Sequence, residues 1–192
     1  MFEAVQSNWQ ALGYASPALR GDPDVVKAAV ATDRQALAVA RELHTDLSVV
    51  RQALEADGHA LVYLPAEQRG DKALVATAVR QDGHAVAYAS RPLQHDVDIA
   101  LQAVKEDGSA LSLLPLEVQG NKEVALTAIE SNVRALQSCS EELKEDPDVV
   151  EAATASERTA LLSSVKIDGY ALRTASKLMQ ADRAGSSVAT TT

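Results

Sequence analysis

Residues 71–95 read DKALVATAVRQDGHAVAYASRPLQH, and this phrase is the unit from which the chain is built. It returns every 24 or 25 residues, and an aspartate or asparagine opens each copy. A fixed period of this length is typical of tandem-repeat architectures. The opening residues are Asp22, Asp46, Asp71, Asp96, Asn121 and Asp146.

A second column of Asp or Asn follows eleven residues after each of the first five openings, as at Asp57 and Asp82. Three residues further on comes an alanine, which is followed by leucine or valine. The repetition of whole columns predicts that every unit has the same local structure and buries the same positions. The alanine column consists of Ala11, Ala36, Ala60, Ala85, Ala110, Ala135 and Ala171.

Each unit is predicted to contain two helices. After Asp46, the apolar residues Val49, Val50, Ala53 and Leu54 follow the spacing of one face of an amphipathic helix. The opening carboxylate can cap that helix by accepting from its unpaired N–H groups. The second Asp or Asn is expected to cap a second, shorter helix in the same way.

The predicted fold is all-α: an α-solenoid of roughly seven tandem 25-residue helix-turn-helix repeats. Helices this short are not stable alone in water, so stacked units must share a core. The predicted repeats lie near 1–21, 22–45, 46–70, 71–95, 96–120, 121–145 and 157–181, with an 11-residue half-repeat near 146–156 and a flexible tail over 183–192.

The half-repeat is inferred from a break in phase. Asp146 is followed by the next opening, Asp182, at a distance of 36 residues, and Glu157 lies 25 residues before Asp182. Eleven extra residues are about three helical turns. We therefore expect an extra or lengthened helix after Asp146, with Glu157 opening a fresh unit.

Composition restricts the classes of function. Among 192 residues, 27 are acidic and 18 basic, and the formal charge of −9 disfavours nucleic-acid binding, which depends on Lys and Arg. No apolar run approaches the length of a membrane span. The single cysteine, Cys139, lies in a column that is otherwise mostly alanine, so a buried thiol is expected. We predict an intracellular, soluble protein of the cytoplasm or an organelle.

The phrase D-x-x-V-V-x-x-A-V-x-x-D-G-x-A-L-x-x-A-S-x-x-L, as it stands over 71–93 and 121–143, resembles a family of short tandem helical repeats known only as a domain of unknown function. The resemblance extends over nearly the whole chain. It implies an all-helical repeat array with a role in macromolecular interaction, and it implies no catalytic residues.

Few side chains suggest chemistry. His59 and His84 occupy equivalent positions in adjacent units, where their rings could approach each other, but a metal would need a further ligand and the nearby carboxylates serve as caps. No catalytic motif, cofactor site or metal site is predicted. Tyr63 and Tyr88 share one column, for which two interpretations stay open: tyrosines packed between units, or part of a protein-binding face.

The candidate binding face consists of Tyr63, Tyr88, His59, His84 and Arg91, with Trp9 as a second anchor near the N-terminal end. The first functional hypothesis is a non-catalytic scaffold that binds other proteins, as one subunit of a larger assembly. The alternatives are a targeting or regulatory repeat module of a larger, multidomain protein, and an enzyme with a site in the groove. End-to-end self-association through the apolar ends of the array is a further expectation.

Overall fold

The computed structural model describes residues 2–40 and 46–165, with side-chain surroundings as far as residue 158. Within these residues the chain is all-helical and contains no strand, which confirms that the fold is all-α. The long helices are α1 (Phe2–Ser7), α2 (Pro23–Thr32), α3 (Leu47–Ala56), α4 (Lys72–Gln81), α5 (Val97–Glu106), α6 (Lys122–Ser131) and α7 (Pro147–Val165).

The long helices begin where the opening column predicts. Asp71 precedes α4, and its Oδ1 accepts from the backbone N–H groups of Ala73 at 2.8 Å and Leu74 at 3.2 Å. Asn121 caps α6 with the same geometry, accepting at 3.0 and 3.2 Å. The cap satisfies two of the N–H groups that the first turn leaves unpaired.

Each long helix from α2 to α6 is followed by a short second helix and then, in most units, by a further helical turn. Asp82 Oδ1 accepts from the N–H of His84 at 2.9 Å and so caps the second helix of its unit. The second helices are 3₁₀ in form except for Ala36–Val39, which is one α-turn. They are Trp9–Tyr14 (after α1), Ala36–Val39, Gly58–Tyr63, Gly83–Tyr88, Gly108–Leu113 and Val133–Ser138; the following turns are Pro17–Arg20, Gln68–Gly70, Arg91–Gln94, Leu116–Gln119 and Glu141–Lys144.

One continuous core runs through these units. It consists of the apolar stripe of the long helices together with the alanine and aliphatic columns of the second helices. In α5, for example, Ile99, Ala100, Ala103 and Val104 are fully buried. Cys139 is buried as predicted, and burial raises the pKa of its thiol. The thiol therefore acts as a small apolar group of the core.

Glycine after the second cap allows neighbouring units to approach closely. A Cβ added at Gly83 would lie 2.4 Å from the backbone oxygen of Ala103 in the next unit, and one at Gly108 would lie 2.2 Å from that of Ala128. No described glycine has positive φ. These glycines are therefore required by the packing between units and not by the local backbone.

The helix after Asp146 is lengthened, as the break in phase predicts, because α7 has 19 residues where α2 to α6 have ten. Glu157 lies inside α7, so it does not cap a new helix as the sequence suggested. Most of the predicted repeat 157–181 and the predicted tail 183–192 lie outside the described residues. No helix in the described part of the chain has the length and apolar character that a membrane crossing requires.

Candidate protein-interaction surface

The second helices carry five of the six residues that the sequence singled out, and four of these lie in two successive units. Tyr63 and Tyr88 are the last residues of the second helices of their units, where both are half-buried and pack against the core. His59 and His84 lie near the starts of the same helices and are also half-buried. The repeat places these four side chains along one edge of successive units.

His59 connects its own unit to the next one. Its Nδ1 lies 2.8 Å from Oδ2 of Asp82, and its ring meets the ring of Tyr88 edge to face, with 5.6 Å between centroids. When the imidazole is protonated, the contact with Asp82 is an ion pair. Tyr88 therefore packs between units, which agrees with the first of the two interpretations of the tyrosine column.

A similar ion pair occurs one unit earlier, where Arg34 stands in the column of Gly58, one position before the column of His59. The guanidinium of Arg34 pairs with the carboxylate of Asp57 in the next unit. The hydrogen bond to Asp57 raises the pKa of Arg34, and a smaller contribution comes from a hydrogen bond with Tyr63. Both Arg34 and His59 therefore pair with a carboxylate of the following unit.

His84 extends this pattern by one more unit. Its Nδ1 lies 3.3 Å from Asp82 and 3.7 Å from Asp107, and its Nε2 lies 3.1 Å from the hydroxyl of Ser109. The Ser109 hydroxyl donates to Asp107 at 2.7 Å, which is the main reason that the pKa of Asp107 is lowered.

These side chains form a charge row along the edge of the second helices. Asp82 lies between His59 and His84, so the two rings do not contact each other as the sequence suggested. Among the described residues, no group of three or more His, Cys, Asp or Glu side chains is arranged to hold a metal ion. The charge row consists of Arg34, Asp57, His59, Asp82, His84 and Asp107.

Arg91 and Trp9 lie apart from this row. Arg91 is exposed and begins the one-turn helix after Tyr88. Trp9 begins the helix Trp9–Tyr14, which is the second helix of the first unit. It is half-buried against the core and follows Asn8, which caps that helix. At the end of the same helix, Tyr14 has 92% of its surface exposed, whereas the equivalent Tyr63 and Tyr88 are half-buried.

A second set of charged contacts was missed by the sequence reasoning. Lys72, the first residue of α4, places its Nζ 2.8 Å from both Asp96 and Asp98 of the next unit. Two units later, Lys122 contacts Asp146 and Asp148 at 2.8 and 2.6 Å. The signal was present: lysine follows the opening residue, and the next unit has Asp at its opening and two residues later.

Each of these two lysine clamps shifts the ionisation of its members. The hydrogen bond to Asp96 is the largest of several effects that raise the pKa of Lys72, and the same bond lowers the pKa of Asp96. Lys122 and Asp146 shift each other's pKa values in the same directions. All four groups therefore favour their charged forms in the folded protein.

Apolar side chains are exposed in the second helices and directly after them. Leu116 has 78% of its surface exposed, and Val62 and Leu113 have 42% and 39%. All three lie in or just after the second helices, in the same part of the unit as the two tyrosines. We call this set the second-helix face: Val62, Tyr63, Tyr88, Leu113 and Leu116.

The family described as Domain of unknown function (DUF4116) matches residues 71–119 and 121–180, which together are more than half of the chain. The chain belongs to this family. Searches among curated proteins and among solved structures return no match. The first DUF4116 match, over 71–119, covers nearly all of the two units 71–95 and 96–120. The resemblance noted in the sequence is confirmed.

Proposed function

We propose that this DUF4116 protein is a non-catalytic α-solenoid that binds other proteins through its second-helix face. The order of the contacts supports the solenoid arrangement. Long helices contact the long helix of the preceding and of the following unit, in sequence from α1 to α7. Such nearest-neighbour stacking is how repeat arrays build an extended surface from units that are too small to fold alone.

The observation that carries the proposed role is the exposure of large apolar side chains on the second-helix face. Leu116 has 78% of its surface exposed, and Leu113 and Val62 are exposed near the ends of the second helices of their units. A row of exposed apolar residues with charged neighbours is typical of a protein-binding site. The half-buried Tyr63 and Tyr88 add aromatic area, which interfaces favour.

The chain's charge restricts the kind of partner. The formal charge of −9 disfavours nucleic acid and favours a protein partner with a basic patch, because complementary charge accelerates association. On this proposal the solenoid consists of roughly seven repeats and acts as one subunit of a larger assembly. It contributes binding surface and no catalytic group.

The test is affinity capture with the whole chain from a lysate of the native organism, followed by binding of each captured protein in purified form. The face variant is Val62→Ser/Leu113→Ser/Leu116→Ser. The matched control, Leu47→Ser/Val97→Ser, removes exposed apolar groups from the starts of α3 and α5 instead. Circular dichroism would verify that both variants keep the helical fold.

We expect a partner that the wild type and the control bind equally and that the face variant binds at least about ten-fold more weakly, because truncating one central anchor of an interface commonly costs this much. Equal binding by all three proteins would place the interface elsewhere on the array. If the purified wild-type chain binds none of the captured proteins, the scaffold role is contradicted.

A further inference from the structure

We propose that the array bends and separates most readily at one junction, between the units 96–120 and 121–145. The units on each side of this junction would then move, and lose their structure, together as one module. This junction coincides with the boundary between the two DUF4116 matches, which end and begin at residues 119 and 121. The charged contacts between successive units differ from one junction to the next.

The apolar contacts are alike from junction to junction. In α4, α5 and α6, the same four positions of the helix are buried, with exposed fractions of at most 2%. Gly83 and Gly108 also approach the following long helix equally closely. In a repeat array, stability is roughly a sum of unit terms and neighbour terms. Because the same positions are buried at these junctions, the contacts at the edges of the units are what distinguishes one junction from the next.

The two junctions that lie inside the DUF4116 matches carry the lysine clamps, which join the starts of neighbouring long helices. Lys72 joins the unit 71–95 to Asp96 and Asp98, and Lys122 joins the unit 121–145 to Asp146 and Asp148. Each ammonium is shared between two carboxylates, which is a stronger arrangement than a single exposed pair.

As far as the structure describes the chain, the proposed joint has no ion pair at the starts of the long helices and none along the second helices. Where the clamps have lysine, α5 begins with Val97, and the opening residue of the next unit is the neutral Asn121. Along the second helices, the charge row ends at Asp107. The residue that caps the following second helix, Val133–Ser138, is the neutral Asn132. Within the described residues, no ion pair joins 96–120 to 121–145, whereas Arg34 and His59 each contact a carboxylate across the two junctions before Lys72.

In the described part of the chain, one hydrogen bond that involves a side chain crosses the joint. The N–H of Gly108 donates to the hydroxyl of Ser131 at 3.1 Å. Leu113 and Leu116 lie directly before the joint, so a change of angle there would alter the surface beside them. A change of angle at this joint would allow a rigid partner to contact both 71–120 and the part of the chain after residue 120.

Hydrogen exchange measured by mass spectrometry on the full chain, in increasing sub-denaturing urea, tests the proposal. We expect the residues 121–158 to lose protection together, at a urea concentration at which 71–120 is still protected. Loss of protection one unit at a time from the C-terminal end would overturn the proposal. A step at residues 95 and 96 instead of 120 and 121 would also overturn it.

Transplanting a clamp provides the sharper test. Val97→Lys/Asn121→Asp recreates the lysine and the opening carboxylate at the joint, and Glu123 already supplies a second carboxylate. The control, Val97→Gln/Asn121→Asp, lacks the cation. Because Val97 is partly exposed and Asp serves as the cap in other units, neither variant disturbs the core.

We expect the clamp variant to lower the opening equilibrium constant of 121–145 by about two- to five-fold relative to the control, as for exposed ion pairs. Removing a natural clamp by Lys122→Met should let 146–158 exchange before 121–145, whereas Lys105→Met, which removes an exposed lysine of α5 that makes no ion pair, should not. Identical exchange in the clamp variant and its control would overturn the proposal.

Discussion

At the scale of single residues, the glycine after the second cap determines how closely two units can stack. Replacing Gly83 by alanine would place a Cβ 2.4 Å from the backbone oxygen of Ala103. Because backbone and not a flexible side chain lies in the way, the units must separate. We expect Gly83→Ala to lower the free energy of unfolding by about 1–3 kcal/mol, measured by urea denaturation.

Gly13 is the matched control, since it also lies in a second helix but has nothing within 4 Å of an added Cβ. Its φ is not positive, so alanine fits the backbone. Gly13→Ala should leave the free energy of unfolding unchanged or raise it by about 0.4–1 kcal/mol. Equal losses in the two variants would mean that the contact with Ala103 is not what the glycine provides.

At the scale of helices, the lysine clamps join the starts of neighbouring long helices and make that connection dependent on pH. The pKa of Asp96 is lowered chiefly by Lys72, and that of Asp146 by Lys122. The folded protein therefore keeps these carboxylates ionised where the unfolded chain already protonates them. Their contribution to stability is present above about pH 4, the ordinary aspartate pKa, and is lost as pH falls through the lowered values.

The variant Asp96→Asn/Asp146→Asn tests this linkage. Asparagine can still cap the helix, as Asn121 does, but it cannot ionise. We expect the melting temperature of the wild type to exceed that of the variant at pH 7, and the difference to shrink between pH 4 and pH 2. Thermal melts followed by circular dichroism would show this, and a difference that stays constant down to pH 2 would refute it.

At the scale of the whole molecule, the contacts between successive units predict that a destabilising substitution mainly affects its own unit and the units next to it. Leu61 is fully buried in the second helix of its unit, and Leu61→Ala should cost about 2–5 kcal/mol. In a one-dimensional array, this loss should appear as faster hydrogen exchange in 46–70 and its neighbours, while 121–158 keeps its protection. Val62→Ala, at the exposed next residue, should change little. Uniform loss of protection across the chain would indicate a single globular core instead.

The sequence by itself determined the helices. Asp71 and Asn121 predicted where helices begin, and the spacing of residues such as Val49, Val50 and Ala53 predicted which side is buried, because capping and amphipathic periodicity act over a few residues. The buried Cys139 followed from its column. The lengthened helix after Asp146 was predicted, but Glu157 as a new start was not correct, since nothing local interrupts α7.

Only the tertiary structure decided what the edges of the units contact. The sequence placed His59 and His84 in one column, but the structure placed Asp82 between them. It also brought Lys72 to Asp96 and pressed Gly83 against Ala103. These contacts join residues about 20 to 25 positions apart, so they depend on how each unit is offset and rotated against the next. Packing of the shared core sets that offset, and no local pattern in one unit specifies it.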